Sequence, residues 1–233
     1  LKYKKILLCT IIATGLVLSV GCTKEVENNK TSTETAVDVS EKKSEASYDI
    51  VKKSIKNDYV EVYYPQIENM AGELIMDYIN QDLENALKNH IKEATELKSK
   101  LVIDYEVTYK GEDILSIVFK GTQKHEGGEY KILYAINFDL KTSNKIFAKN
   151  LIKPDESAKN AINELLKEAA KDNKTMKHEF TGFGDWMGVY FTDDALVFYY
   201  LEDDMSTDYV KLSISRDEAK PYLNTEFGER PAS

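Results

Sequence analysis

The chain has 233 residues, 42% of them apolar, a formal charge of -9, and only two cysteines, Cys9 and Cys22. So acidic a balance argues against a nucleic-acid partner and against a polybasic membrane contact. With Cys9 inside an apolar leader, a disulfide framework, a thiolate metal site and a cysteine nucleophile are all set aside.

Residues 1–21 read as a signal peptide, with Lys2, Lys4 and Lys5 ahead of the apolar run Ile6 to Val20. At ~1.5 Å per residue such a run spans about 22 Å, short of the roughly 30 Å of a bilayer core. It closes on Ser19-Val20-Gly21-Cys22 and so resembles the bacterial lipobox, although Ser19 stands where Leu, Val or Ile is usual. That resemblance makes Cys22 the lipid anchor and the outer face of the bacterial cytoplasmic membrane the expected location. An uncleaved signal anchor and ordinary cleavage near Gly21 are the alternatives. Loss of the three leader lysines takes the charge from -9 to -12.

Residues 22–47 follow as a polar stalk without aromatic residue, Leu, Ile, Gly or Pro, too poor in apolar surface to offset the entropy of ordering. Order is expected from Tyr48. Alternation from Tyr59 to Tyr64 predicts a strand closed by Pro65. From Ile67 to Ala94 apolar residues recur every three or four positions, predicting one long amphipathic helix. Leu101 to Lys110, Ile114 to Lys120, Tyr130 to Leu140 and Ile146 to Leu151 predict hairpin-linked antiparallel strands. A second helix runs from Asp155 to about Lys171, capped by Asp155 or Ser157. Strands Met187 to Phe191, Ala195 to Leu201 and Tyr209 to Ile214 precede a short helix over Arg216 to Tyr222. The fold class is α+β, with antiparallel sheets under the long helix and the second helix. Modules are expected at 48–144 and 145–225, the second packed on the first, with a tail at 226–233.

Tyr64-Pro65-Gln66-Ile67, Ile79-Asn80, the stretch Val102 to Phe119, Gly127-Gly128, Asn137 to Thr142 and Val189 to Tyr200 together resemble a recurring exported module. It precedes the catalytic domain of PdaC-type peptidoglycan deacetylases and forms the extracellular part of RsiV-type anti-sigma factors. The resemblance covers nearly all of Tyr48 to Leu223 and implies a paired α+β fold without catalytic residues of its own. Two stretches differ: Gly127-Gly128-Glu129-Tyr130 replaces a Gly-Gly-Ala-His segment, and an acidic loop, Glu202 to Asp208, replaces a tyrosine- and alanine-rich one. Ligand specificity, lysozyme recognition included, therefore does not transfer. Only five residues precede the apolar run, which argues against an anti-sigma role.

No motif points to an enzyme. Asp193-Asp194 leads into a strand, and His90, His125 and His178 lack metal-ligand spacing. The loop carrying Asp203, Asp204 and Asp208 lacks the central Gly and final Glu of an EF-hand, so no metal or other cofactor is expected. More informative is Phe180 to Trp186, a glycine-broken aromatic loop holding the sole Trp. Such loops plug the ends of cores or form stacking surfaces. Trp186, Phe183, Asp203, Asp204 and Asp208 are the candidate binding residues. The expectation is a non-catalytic surface lipoprotein that binds or senses an envelope glycan or a basic, lysozyme-like protein. Its alternatives are an accessory module for a cell-wall enzyme acting in trans, and an envelope hydrolase with two carboxylates roughly 5 to 10 Å apart.

Overall fold

Tyr48 is buried, with its hydroxyl donating to the Gly111 carbonyl at 3.2 Å. The computed structural model describes residues 47–125, 128–203 and 208–228; the leader, Cys22 and residues 22–46 lie outside them. Strands β1 (Asp49–Lys56) and β2 (Val60–Glu68) form an antiparallel hairpin. Its turn is made by Asn57, whose side-chain oxygen accepts from the Tyr59 and Val60 N–H groups at 2.8 and 2.9 Å.

Two features of this hairpin depart from expectation: β1 itself, and the continuation of β2 through Pro65. The parallel ladder from β2 to β3 (Lys100–Lys110) ends at Val62, so no neighbouring strand requires the N–H that Pro65 lacks. Farther on, a side chain replaces the missing strand. Asn80 accepts from the Ile67 N–H at 2.7 Å and donates to the Ile67 carbonyl at 2.9 Å. Two separated pieces of the family resemblance, Tyr64 to Ile67 and Ile79-Asn80, meet at this point.

The single long helix is replaced by two, α1 (Glu73–Asn85) and α2 (Lys88–Glu96). Ile67 belongs to β2, which moves the helical start onward. At the joint the Ala86 N–H bonds the Leu83 carbonyl, three residues back, while the Asn85 amide takes the Gln81 carbonyl. Leu83, Leu87 and Ala94 stay buried on both sides of the break. The helix α2 ends in a Schellman motif: Ser99 N–H bonds Ala94 at 2.9 Å, and Lys98 sits at φ 51°. Because α1 and α2 cross between parallel neighbours, this part of the sheet is not hairpin-linked.

Strands β4 (Ile114–His125) and β5 (Gly128–Asp139) complete a sheet ordered β1-β2-β3-β4-β5. The expected strand at Ile146 to Leu151 is instead a single bridge, Phe138 to Lys145, followed by the short helix α3 (Ala148–Leu151). Asp155 caps α4 (Glu156–Lys171), accepting from the Ala158 N–H at 2.9 Å. A second antiparallel sheet holds β6 (Gly188–Phe191), β7 (Ala195–Tyr200) and β8 (Val210–Ser215). Helix α5 (Arg216–Ala219) then passes into a 3-10 turn, Lys220–Tyr222, that accommodates Pro221.

Side-chain alternation sorts the strands into three cores. Leu115, Ile117, Phe119, Ile136 and Phe138 share one cluster with Ile79, Leu83 and Leu87 of the α1–α2 segment. Val118, Leu133 and Ala135 point to the other face and meet Tyr190, Val197 and Tyr199 of the second sheet. Val189, Phe191, Leu196, Phe198, Leu212 and Ile214 face α4 through Ala158, Ile162 and Leu166. The layers run helix, sheet, sheet, helix within one compact unit, Lys42–Ser233.

Where the sheets meet, β6 presents an unpaired edge. Ser116 accepts from the Phe191 N–H at 3.1 Å and donates to Asn137 at 2.7 Å. Asn137 in turn donates to the Val189 and Ile146 carbonyls at 2.8 and 3.0 Å. Two polar residues on the face of one sheet thus satisfy the edge of the other.

Candidate functional site: the Trp186 cleft

The loop from α4 to β6 is held at several points. Asn173 donates to the Lys211 carbonyl at 2.7 Å, and Asn163 accepts from the Phe183 N–H at 3.0 Å. Glu202 accepts from the Lys177 and His178 N–H groups at 2.9 and 3.0 Å. Gly182, at φ 128°, supplies a backbone angle that side chains disfavour.

At the end of this loop stands Trp186, with 59% of its surface exposed. Its ring meets Tyr200 edge-on, centroids 5.0 Å apart at 86°, and Phe180 leans on the same tyrosine at 6.4 Å. Gly184 makes the placement possible, since a Cβ there would lie 2.1 Å from the indole nitrogen. Beside Trp186 opens a cleft of about 470 Å³ lined by His178, Glu179, Phe180, Tyr200, Glu202 and Asp203, among others. Burial, followed by the charge of Glu202, pushes the Tyr200 phenol above its ordinary value.

Of the residues expected to form a binding surface, the fold brings Trp186 and Asp203 into one cleft. Phe183 belongs elsewhere, packed edge-on against Phe198 at 5.9 Å as part of the α4 core. It plugs that core. Asp208 points away and pairs with Lys131 of β5, beside a different groove of about 400 Å³ that Lys120, Lys211 and Tyr209 also line. Asp204 and Cys22 lie outside the described residues. Sequence reasoning missed Glu179, Phe180 and Tyr200 as cleft residues. Tyr200 is the last residue of an apolar strand run, and nothing in that run marks which end opens to solvent.

Asp193 and Asp194 form the β6–β7 turn, closed by the Thr192 N–H on the Ala195 carbonyl at 2.9 Å. Arg216 clamps it, donating to the Thr192 carbonyl at 3.1 Å while lying 4.2 Å from the Tyr109 ring centroid. Among the described residues no group of three His, Cys, Asp or Glu side chains is placed to hold a metal ion. Among them, too, no helix is long and apolar enough to cross a membrane.

Such a molecule is an α+β protein of two antiparallel-rich sheets stacked between helices. A solved member of the DUF3298 family from Bacteroides fragilis has a similar fold, with a TM-score of 0.55 at 12% identity over 76% of this chain and 93% of that one. A DUF3298 protein from Pseudomonas aeruginosa aligns with a TM-score of 0.48 at 12% identity over 78% of this chain and 96% of that one. No family model matches the chain, and no curated protein matches it.

Proposed function

We propose that this chain is a non-catalytic binding or sensing module of the PdaC/RsiV type, lipid-anchored through Cys22 on the outer face of the bacterial cytoplasmic membrane. Its partner is a protein or glycan of the cell envelope. The observation that carries this reading is Trp186, a large aromatic held out of the core at the mouth of a cleft. Leaving an indole in water forgoes roughly 2 kcal/mol of burial. Exposed, rigid aromatics beside a concavity are what recognition surfaces use as anchors. The fold likeness to the DUF3298 protein supports the family part of the reading, and the lipobox-like segment supports the anchor.

A pull-down tests it directly, with the chain from Thr23 onward offered purified lysozyme and peptidoglycan fragments at low and moderate salt. Saturable capture, reduced in a Trp186→Ala variant of unchanged melting temperature, is the expected result. Capture of neither, or capture indifferent to Trp186, removes this surface as the binding site.

A further inference from the structure

We infer that residues 225–228 form a strap, hinged at Asn224, which Phe227 alone holds shut over a trough beside the second sheet. Two observations converge on it. The first is where the ties of the chain stop. Up to the hinge it is bound closely: Leu223 bridges Ile152, and the Asn224 N–H donates to the Leu151 carbonyl at 2.8 Å. The Asn224 side-chain amide donates to the Asn150 and Ile152 carbonyls at 2.8 and 3.2 Å. Beyond it, among the described residues, Thr225 to Gly228 make no hydrogen bond or ion pair. Thr225, Glu226 and Gly228 are exposed, and only Phe227 is half-buried, packed against the α4 core.

The second is what lies under the strap. Two hollows, of about 440 and 690 Å³, both reach Phe227 and share Ile114, Lys220 and Asn224 with it. The smaller continues over Leu151 and Phe191 toward the β6–β7 turn. The larger continues past Asp113 and Asp139 toward the turn after β5. One phenyl ring thus divides a single trough in two. Ordering the backbone of so short a segment costs as much free energy as a half-buried ring returns, or more. A segment with one apolar contact and no hydrogen bond stands at the low end of local stability, so it opens while the core stays folded. The occupant of the closed trough is the chain's own Phe227, and opening is the event that uncovers Ile114, Leu151 and Phe191 as one continuous floor.

The test compares the chain from Thr23 onward with its Phe227→Ala variant, offering each a capped, dansyl-labelled peptide that copies Leu223 to Gly228. The variant melts cooperatively within about 4 °C of the parent, because the strap is not part of the core. It takes up the peptide saturably and about tenfold more tightly than the parent, in which the tethered ring competes and only the open fraction binds. A peptide with Ala in place of the phenylalanine is not taken up, and Trp186→Ala leaves uptake unchanged. A larger fall in melting temperature places Phe227 in the core and overturns the inference. Equal uptake by parent and variant, uptake by neither, or uptake lost with Trp186 overturns it as well. The binding reading at the Trp186 cleft is independent of all these outcomes.

Discussion

Phe183 and Trp186 lie three positions apart, yet one fills the α4 core against Phe198 and the other stands in solvent against Tyr200. What parts them is Gly184, whose missing side chain leaves room for the indole. A Gly184→Ala variant forces the indole away, because the added Cβ would lie 2.1 Å from its nitrogen. The emission maximum shifts and cleft binding falls, while the urea midpoint moves little, since the displaced group was exposed already. A second residue-scale prediction concerns Tyr199, whose phenol lies against the first sheet and accepts from the Ala135 N–H at 2.8 Å. Burial drives its pKa up to about 12, with the Ala135 bond pulling the other way. An acid whose folded pKa is raised contributes fully while both states are protonated. That contribution, roughly 2 to 3 kcal/mol, is whole below about pH 10 and drains away as pH climbs toward the folded value. Urea unfolding of Tyr199→Phe against the parent chain over this window shows a shallower loss in the variant.

At the scale of elements, the helical segment under the first sheet shows how a continuous apolar stripe conceals a break. Spacing alone joins Ile67 to Ala94, but Ile67 is claimed by β2 through Asn80, and Asn85 diverts its amide to the Gln81 carbonyl. The end of α2 holds a stored cost, since Lys98 sits at φ 51° where glycine is at ease. Lys98→Gly is therefore stabilising by about 0.5 to 1 kcal/mol, read as a higher urea midpoint at unchanged slope. A lower midpoint would mean that the lysine side chain contributes more than its backbone costs.

For the whole molecule, the junction of the sheets decides cohesion. Val118, Leu133 and Ala135 meet Tyr190, Val197 and Tyr199 there, and beside them Ser116 and Asn137 satisfy the edge of β6. Removing the Ser116 hydroxyl leaves the buried Phe191 N–H without its acceptor, so Ser116→Ala costs about 1 to 3 kcal/mol. Combined with Asn137→Leu the losses are not additive, because both belong to one hydrogen-bonded network, and a double-mutant cycle of unfolding free energies measures the difference. Additive losses would mean that the two side chains act separately.

The α+β class, the extents of β3, β5, β6, β7 and β8 to within a few residues, and the Asp155 cap were legible in the sequence. Each is written locally, in alternation of period two, in turn residues or in a capping side chain next to its helix. The strand β1 was not, for its lysine-rich edge carries little apolar alternation and its pairing with β2 supplies the order. The Asn80 bridge, the split helix and the stacking of one sheet on the other each depend on partners far apart in the chain. Of the candidate site, the aromatic loop and the acidic loop could be read as separate features. Only the tertiary structure set Trp186 and Asp203 in one cleft with Tyr200, sent Phe183 into a core and turned Asp208 toward Lys131. Local pattern records which face of an element is apolar, whereas a cleft is defined by what stands opposite, and that is settled only when the layers pack.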